Sequence, residues 1–173
     1  CPVHNPSIFC NFLRCKFSNF NMTYPLFSDE YFMNEALKEA HKALAREEVP
    51  VGAIVVNQNR IIARAHNMTQ QLNDVTAHAE MIAITAASNY LGAKYLSECT
   101  LYVSLEPCVM CAAAMKWAQL ARMVFGAADP KEGYGRLNEH ILHKKTEVIS
   151  GILEDEASML LKEFFRNHRK QQD

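Results

Sequence analysis

The sequence predicts an α/β fold in which helices cover a β-sheet, and three observations support this. Stretches with the periodicity of amphipathic helices alternate along the chain with short apolar runs typical of strands. The alternation extends from Ser28 to Arg169 without internal repeats or low-complexity tracts. With 173 residues and 49% hydrophobic composition, the chain is long enough for one well-buried core and too short for two comfortable ones. A single domain with helices layered on a sheet satisfies all three observations.

The individual elements follow from local signals along the chain. Ser28 can cap the first helix, which carries apolar residues on one face, and Pro50 is expected to end it. Asn57-Gln58-Asn59 is typical of a turn and lies between two short apolar runs, so a β-hairpin is predicted. Residues 126–145 have the character of a loop-rich connection. The predicted helices cover residues 28–48, 78–89, 108–119 and 154–169, and the predicted strands cover residues 51–56, 60–65, 100–103, 122–125 and 147–150.

The strongest chemical pattern consists of His78, Glu80, Cys108 and Cys111. Two cysteines separated by two residues can bind one ion from a single turn, and the histidine can supply a third ligand. Three protein ligands leave the fourth tetrahedral position for water, as in catalytic zinc sites, and Glu80 can exchange protons with that water. A closed structural zinc site with a fourth ligand elsewhere would leave Glu80 without a task. Composition alone produces this combined pattern in roughly one of a thousand such chains, so we interpret it as a catalytic zinc site.

Both parts of this pattern are expected at helix N-termini. His78 lies at the start of one predicted helix, and the two cysteines follow Pro107 in the first turn of another. The partial positive charge of a helix N-terminus favours a thiolate over a thiol, and zinc requires the thiolate.

Charge and hydropathy limit the remaining possibilities. A net charge of −1 excludes a globally basic nucleic-acid binder but permits a local basic patch. Basic residues at the carboxyl end, beside Phe164 and Phe165, are typical either of a solvated helix end or of an RNA contact.

No run approaches 18 apolar residues, and residues 1–21 lack the features of a signal peptide, so we expect no membrane association and a cytoplasmic location.

The first 21 residues show neither helical nor strand periodicity and end just before Met22. We interpret residues 1–21 as a disordered or non-native extension and residues 22–173 as a single domain that carries the zinc site. A second zinc site formed by Cys1, His4, Cys10 and Cys15 is the alternative, although their spacing is irregular.

The order His-x-Glu followed by Pro-Cys-x-x-Cys resembles the signature of the zinc-dependent cytidine deaminase superfamily. Within it, the chain is most similar to the bacterial tRNA-specific adenosine deaminases, and the resemblance covers nearly everything from Ser28 to Arg169. The segments that carry it are Glu48 to Ala53, Asn67, Thr76 to Glu80, Leu101 to Cys111, Phe125 to Ala127 and Phe164 to Arg166.

The resemblance implies a three-layer α/β/α fold with a five-stranded mixed sheet, one Zn²⁺ per subunit and a homodimer. It also implies hydrolytic conversion of adenosine to inosine at the wobble position of a tRNA anticodon. The metal ligands would be His78, Cys108 and Cys111, with Glu80 as the catalytic proton carrier. The remaining site residues implied are Asn67 and the Ala79 amide bonding the base, Val49 and Pro107 lining its pocket, and Asp129, Lys131, Phe165 and Arg166 contacting the anticodon loop.

Two other functions remain open at this stage. A deaminase of a free base or nucleoside, such as guanine, cytosine or cytidine, would share the zinc site and differ in the base pocket and the RNA surface. A non-catalytic, zinc-stabilised RNA-binding module would have no use for Glu80.

Overall fold

The computed structural model describes residues 24–137 and 141–170. The predicted amino-terminal extension and its alternative zinc site lie outside these residues. Four helices and five strands follow one another in the described part of the chain, with a short 3-10 helix at Tyr134–Arg136. In chain order they are α1 (Asp29–Leu44), β1 (Gly52–Asn57), β2 (Arg60–His66), α2 (Ala79–Leu91), β3 (Cys99–Leu105), α3 (Val109–Trp117), β4 (Arg122–Ala127), β5 (Glu147–Ile149) and α4 (Glu154–Lys170).

The strands form one mixed sheet in the order β2-β1-β3-β4-β5. Strand β1 pairs antiparallel with both β2 and β3, whereas β3, β4 and β5 run parallel to one another. Helix α3 makes the crossover from β3 to β4, whereas β4 and β5 are joined by a long connection whose described part contains the 3-10 helix. The predicted α/β class and the five-stranded mixed sheet are therefore confirmed.

Alternating side chains of the central strands divide the core into two layers. Ile54, Tyr102 and Val124 face α1, and this side of the sheet is completed by α4. Their neighbours along the strands, such as Val103 and Phe125, face the other side and pack against α2 and α3. Both faces of the sheet are covered, which is why its central strands are continuously apolar. The result is the expected three-layer α/β/α arrangement.

The end of α1 differs from the prediction, which placed it near Glu48. The helix ends at Leu44, and Glu47 adopts a left-handed conformation with φ of 60°. The backbone N–H groups of Glu47 and Glu48 then donate to the carbonyl groups of Leu44 and Ala43, at 3.1 Å each. This is the Schellman closure of a helix, here without glycine, and Pro50 plays no part in it. The turn directs Glu48 back into the protein, where only 1% of it is exposed.

The start of α3 also differs from the prediction. Cys108, predicted as the first residue of a helix over 108–119, is instead its N-cap residue, and the helix runs from Val109 to Trp117. Pro107 precedes this cap and thus fixes the backbone that enters the helix.

Among the described residues, no helix is long and apolar enough to span a membrane.

Candidate metal centre and active site

The N-terminal ends of two helices bring the three predicted metal ligands together. His78 is the N-cap residue of α2, Cys108 is the N-cap residue of α3, and Cys111 lies one turn further along α3. The His78 side chain makes no capping hydrogen bond to its own helix, so its ring is available to another partner. Because α2 and α3 pack side by side on the same face of the sheet, their N-termini converge.

The distances between the donor atoms match a tetrahedral zinc site. His78 Nδ1 lies 3.7 Å from Cys108 Sγ and 3.6 Å from Cys111 Sγ, and the three donor atoms lie within 4.8 Å of one another. Zinc bonds of about 2.0–2.1 Å to nitrogen and about 2.3 Å to sulfur, at tetrahedral angles, require a nitrogen–sulfur separation of about 3.6 Å. The donor set and its spacing therefore fit zinc without rearrangement.

The two thiols are chemically inequivalent before an ion is bound. A hydrogen bond from Cys111 lowers the pKa of Cys108 to about 4, and the same contact, together with burial, raises the pKa of Cys111. The contact thus favours the thiolate form of Cys108 and the thiol form of Cys111. A divalent cation favours the thiolate form of both, so zinc binding releases the proton that the pair retains.

Glu80 occupies the second position of α2 and lies against this cluster. Only 4% of its surface is exposed, and burial raises the pKa of its carboxyl group. It lines the same pocket as His78 and Cys108. A carboxylate held in such a site, beside a metal rather than coordinated to it, is suited to taking up and returning protons.

The pocket above these residues has a volume of about 210 Å³. This is below the roughly 300 Å³ at which pockets for drug-sized ligands begin, so the cavity is suited to a single planar base. Its walls come from the segment before β1, the loop after β2, the start of α2, and the loops after β3 and β4. The lining residues are Val49, Val51, Asn67, Thr69, His78, Glu80, Leu105, Glu106, Cys108, Asp129 and Glu132.

The remaining predicted site residues are placed differently. Ala79 is buried as the first residue of α2, where its N–H has no partner within the helix. Pro107 is buried and is not among the residues that line the pocket, and its carbonyl accepts the Tyr134 N–H. Lys131 lines a neighbouring depression that shares Glu132 with the main pocket.

Phe165 and Arg166 lie on α4 and do not line the pocket. Both are exposed, Phe165 by 49%, whereas Phe164 is buried in the core. The structure therefore separates the paired aromatic residues into one core residue and one surface residue.

Sequence reasoning missed Glu106, which organises the pocket rim. Its carboxylate accepts the backbone N–H groups of Asp129 and Gly135, both at 2.9 Å. The Asp129 side chain in turn accepts the N–H groups of Lys131 and Glu132. A sequence signal for Glu106 existed, since it directly follows the carboxyl end of a parallel strand, where sites of α/β proteins are found.

Glu48 was also missed as a site residue, because it was assigned to the end of α1. Its carboxylate lies behind the pocket wall and accepts hydrogen bonds from Asn67, Thr69, Gln70 and Gln71. A charged residue beside a predicted helix end gives no indication in sequence that it is buried.

Comparison with known proteins agrees with this geometry. The family described as the zinc-binding region of cytidine and deoxycytidylate deaminases matches residues 27–127, which include all three proposed ligands and Glu80. The chain belongs to this family. Two relatives named tRNA-specific adenosine deaminase are similar over most of their length. That of Agrobacterium fabrum is 45% identical over 144 residues, which are 80% of this chain and 95% of that protein. That of Bacillus subtilis is 46% identical over 147 residues, 82% of this chain and 91% of that protein.

Solved structures of the family share the fold. A structure from work on A-to-I editing by tRNA:A34 deaminases at the wobble position of transfer RNA is 45% identical, with a TM-score of 0.72. The similarity covers 76% of this chain and 99% of the solved one. A guanine deaminase from Nitrosomonas europaea is 27% identical, with a TM-score of 0.73, and covers 83% of this chain and 88% of that one. The chain is thus a zinc-dependent deaminase whose similarity in sequence is greater to the tRNA enzymes than to this guanine deaminase.

Proposed function

We propose that the protein deaminates adenosine to inosine at the wobble position of a tRNA anticodon. The observation that carries this proposal is a zinc-fitting triad beside a buried carboxylate, in a base-sized pocket of a chain about 45% identical to tRNA-specific adenosine deaminases. The reaction adds water to C6 of adenine, breaks the bond from C6 to the amino group, and releases ammonia.

His78, Cys108 and Cys111 would hold the metal. Zinc in this position supplies the Lewis acidity that makes water nucleophilic near neutral pH. Glu80 takes the proton from the attacking water and delivers protons to the ring nitrogen and then to the departing amino group. Its burial suits this cycle, because it raises the pKa towards the range in which a carboxyl group both accepts and releases a proton.

The base would be held by residues that line or adjoin the pocket. Val49 would offer apolar contact from the pocket wall, and the buried Pro107 would act from beside the pocket-lining Cys108. The Asn67 side chain and the Ala79 N–H would form hydrogen bonds with the nucleotide. A base can enter so narrow a pocket only after leaving its stack, as bases in an anticodon loop readily do.

The anticodon loop would contact the rim and the terminal helix. Asp129 and Lys131 lie on the loop after β4, at or beside the pocket mouth. Phe165 and Arg166 are exposed on α4, where an aromatic ring and a cation could engage a base and a phosphate. Because Asp129 is engaged in its own loop, we expect it to shape the rim rather than bind RNA strongly.

A free-base deaminase is the second candidate, since the guanine deaminase fold matches this chain closely. The two are separated by incubating the zinc-loaded protein with an anticodon stem-loop carrying wobble adenosine and, in parallel, with guanine, adenosine, cytosine and cytidine. We expect inosine in the stem-loop and little turnover of the free compounds. Turnover of guanine with none of the stem-loop would refute the tRNA proposal and leave the zinc chemistry intact.

We further propose a homodimer. Trp117 at the end of α3 is 80% exposed, and Val109 at its start is 41% exposed, which is an unusual amount of apolar surface for one short helix. Light scattering should give twice the chain mass, and Trp117→Glu should shift the population towards the monomer. A wild-type protein that is monomeric at micromolar concentration would contradict the proposed dimer.

With tRNA as substrate, the expected location is the cytoplasm.

A further inference from the structure

Behind the pocket wall lies a buried carboxylate that the reaction scheme above does not use. Glu48 is 1% exposed, and its carboxylate accepts four hydrogen bonds, none of them from a proposed metal ligand. Burying a charge is costly unless its lone pairs are satisfied, so this arrangement implies a specific task for the carboxylate.

The two carboxylate oxygens have different partners. Oε1 accepts the backbone N–H groups of Gln70 and Gln71, at 2.8 and 2.9 Å, and so anchors the loop after β2. Oε2 accepts the Thr69 hydroxyl at 3.1 Å and the Asn67 amide nitrogen at 3.3 Å. The backbone of the loop and the pocket-lining side-chain amide are thus held by separate oxygen atoms of the Glu48 carboxylate.

The second set of contacts decides which way the Asn67 amide faces. A carboxylate can only accept hydrogen bonds, so Nδ2 of Asn67 must point towards Glu48. Nδ2 also donates to Thr69 Oγ1 at 3.3 Å, which occupies its second hydrogen. Oδ1 accepts no hydrogen bond from the residues that the structure describes, although Asn67 lines the pocket.

We propose that Glu48 is a positioning residue that fixes the Asn67 amide with its carbonyl oxygen available to the pocket. The pocket wall at Asn67 therefore accepts a hydrogen bond from the substrate nucleotide, from its amino group or a ribose hydroxyl. An amide free to rotate would present a donor or an acceptor with similar ease and would select neither. The consequence for catalysis rests on the proposed function, whereas the contact itself does not.

Glu48→Gln separates the two tasks of this carboxylate. The amide oxygen of the new side chain can replace Oε1 and keep both loop N–H groups bonded. Its amide nitrogen then replaces Oε2 and opposes Nδ2 of Asn67, donor against donor. Asn67 relieves this conflict by turning over, which directs Nδ2 towards the pocket. The variant should therefore retain the fold while reversing the hydrogen-bonding polarity of the pocket wall.

A stability cycle tests the contact without any assay of activity. Asn67→Asp places a second carboxylate against Glu48, and adding Glu48→Gln restores a donor between them. In zinc-loaded protein we expect the melting temperature of the double variant to exceed that of Asn67→Asp by roughly 4–8 °C. Folding of the double variant where the single one fails would support the contact equally. A double variant no more stable than Asn67→Asp would overturn it.

An activity comparison tests the consequence and remains decisive if neither Asp-containing variant folds. Glu39→Gln is the matched control, because Glu39 is also buried, at 3% exposed, and bonds Lys42 rather than the pocket wall. With equal zinc content and melting temperatures, kcat/KM on the wobble-adenosine stem-loop should fall roughly 10- to 100-fold for Glu48→Gln. The control should stay within about twofold of wild type. Equal rates for the two variants would overturn the positioning role, whereas an inactive wild type would refute the proposed function and leave the stability cycle to decide.

Discussion

Gly52, the first residue of β1, lies where the sheet touches α1 most closely. A Cβ atom added there would lie 2.2 Å from both the Ala36 carbonyl oxygen and the Ala40 amide nitrogen. These atoms belong to the helix backbone, so no side chain can turn aside. Restoring ordinary contact at about 3.4 Å requires α1 to move away from the sheet by about 1.2 Å. The same shift would disturb the packing of Met33 and Leu37, which are buried beneath the helix.

We therefore expect Gly52→Ala to destabilise the protein by about 3 kcal/mol, the upper end of the usual cost of overpacking. For a domain of this size, that lowers the melting temperature by roughly 6–12 °C. Gly92→Ala is the control, because Gly92 has a left-handed φ of 61° but nothing within 4 Å of an added Cβ. Its cost is conformational, about 1 kcal/mol, or roughly 2–4 °C. If thermal unfolding shows Gly52→Ala to be no worse than Gly92→Ala, the close helix–sheet approach is wrong.

Three further predictions concern catalysis, pH and RNA. Glu80→Gln should lower kcat by roughly 10²- to 10⁴-fold while zinc content and stem-loop affinity are retained, and a near-normal rate would exclude Glu80 as the proton carrier. Hydrogen bonds from Arg122 hold the pKa of Asp29 below its usual value. This ion pair therefore stabilises the fold above about pH 4, and the stabilisation is lost as the pH falls through the lowered pKa. Asp29→Asn should therefore cost about 1 kcal/mol at pH 7 and progressively less below pH 4 in urea titrations, whereas a pH-independent cost would contradict the ion pair. Replacing Arg166 and Arg169 by Ala should weaken stem-loop binding and reduce its dependence on salt, and an unchanged salt slope would show that α4 makes no phosphate contacts.

Most of the fold could be predicted from the sequence because its signals are local. Helical periodicity, a capping serine and turn residues at 57–59 each act within a few residues, and all nine predicted elements occur in the structure. Boundaries were less accurate where backbone geometry rather than residue type decided them. The Schellman closure at Glu47 is an example, because a non-glycine residue in that conformation leaves no sequence signal.

The metal centre was also accessible from the sequence, because its chemistry dictates residue types and short spacings. A His, two Cys and a nearby Glu have few common uses together, and two of these residues are N-caps, whose positions are fixed by their own helices. What the sequence could not show was how two segments thirty residues apart would place Nδ1 and the sulfur atoms about 3.6–3.7 Å apart. That spacing depends on α2 and α3 packing on the same face of the sheet.

The sequence alone thus determined the fold class, the chemistry of the site and its resemblance to a deaminase family, since each depends on residue identity and near-neighbour spacing. Only the tertiary structure decided which polar residues are buried and what they hold. Glu48 and Glu106 have the same side chain as exposed glutamates elsewhere, yet one restrains the Asn67 amide and the other the pocket rim. Burial and hydrogen-bond partners are properties of the whole packed chain, because they depend on residues that are distant in sequence and meet only when the sheet and its helices assemble.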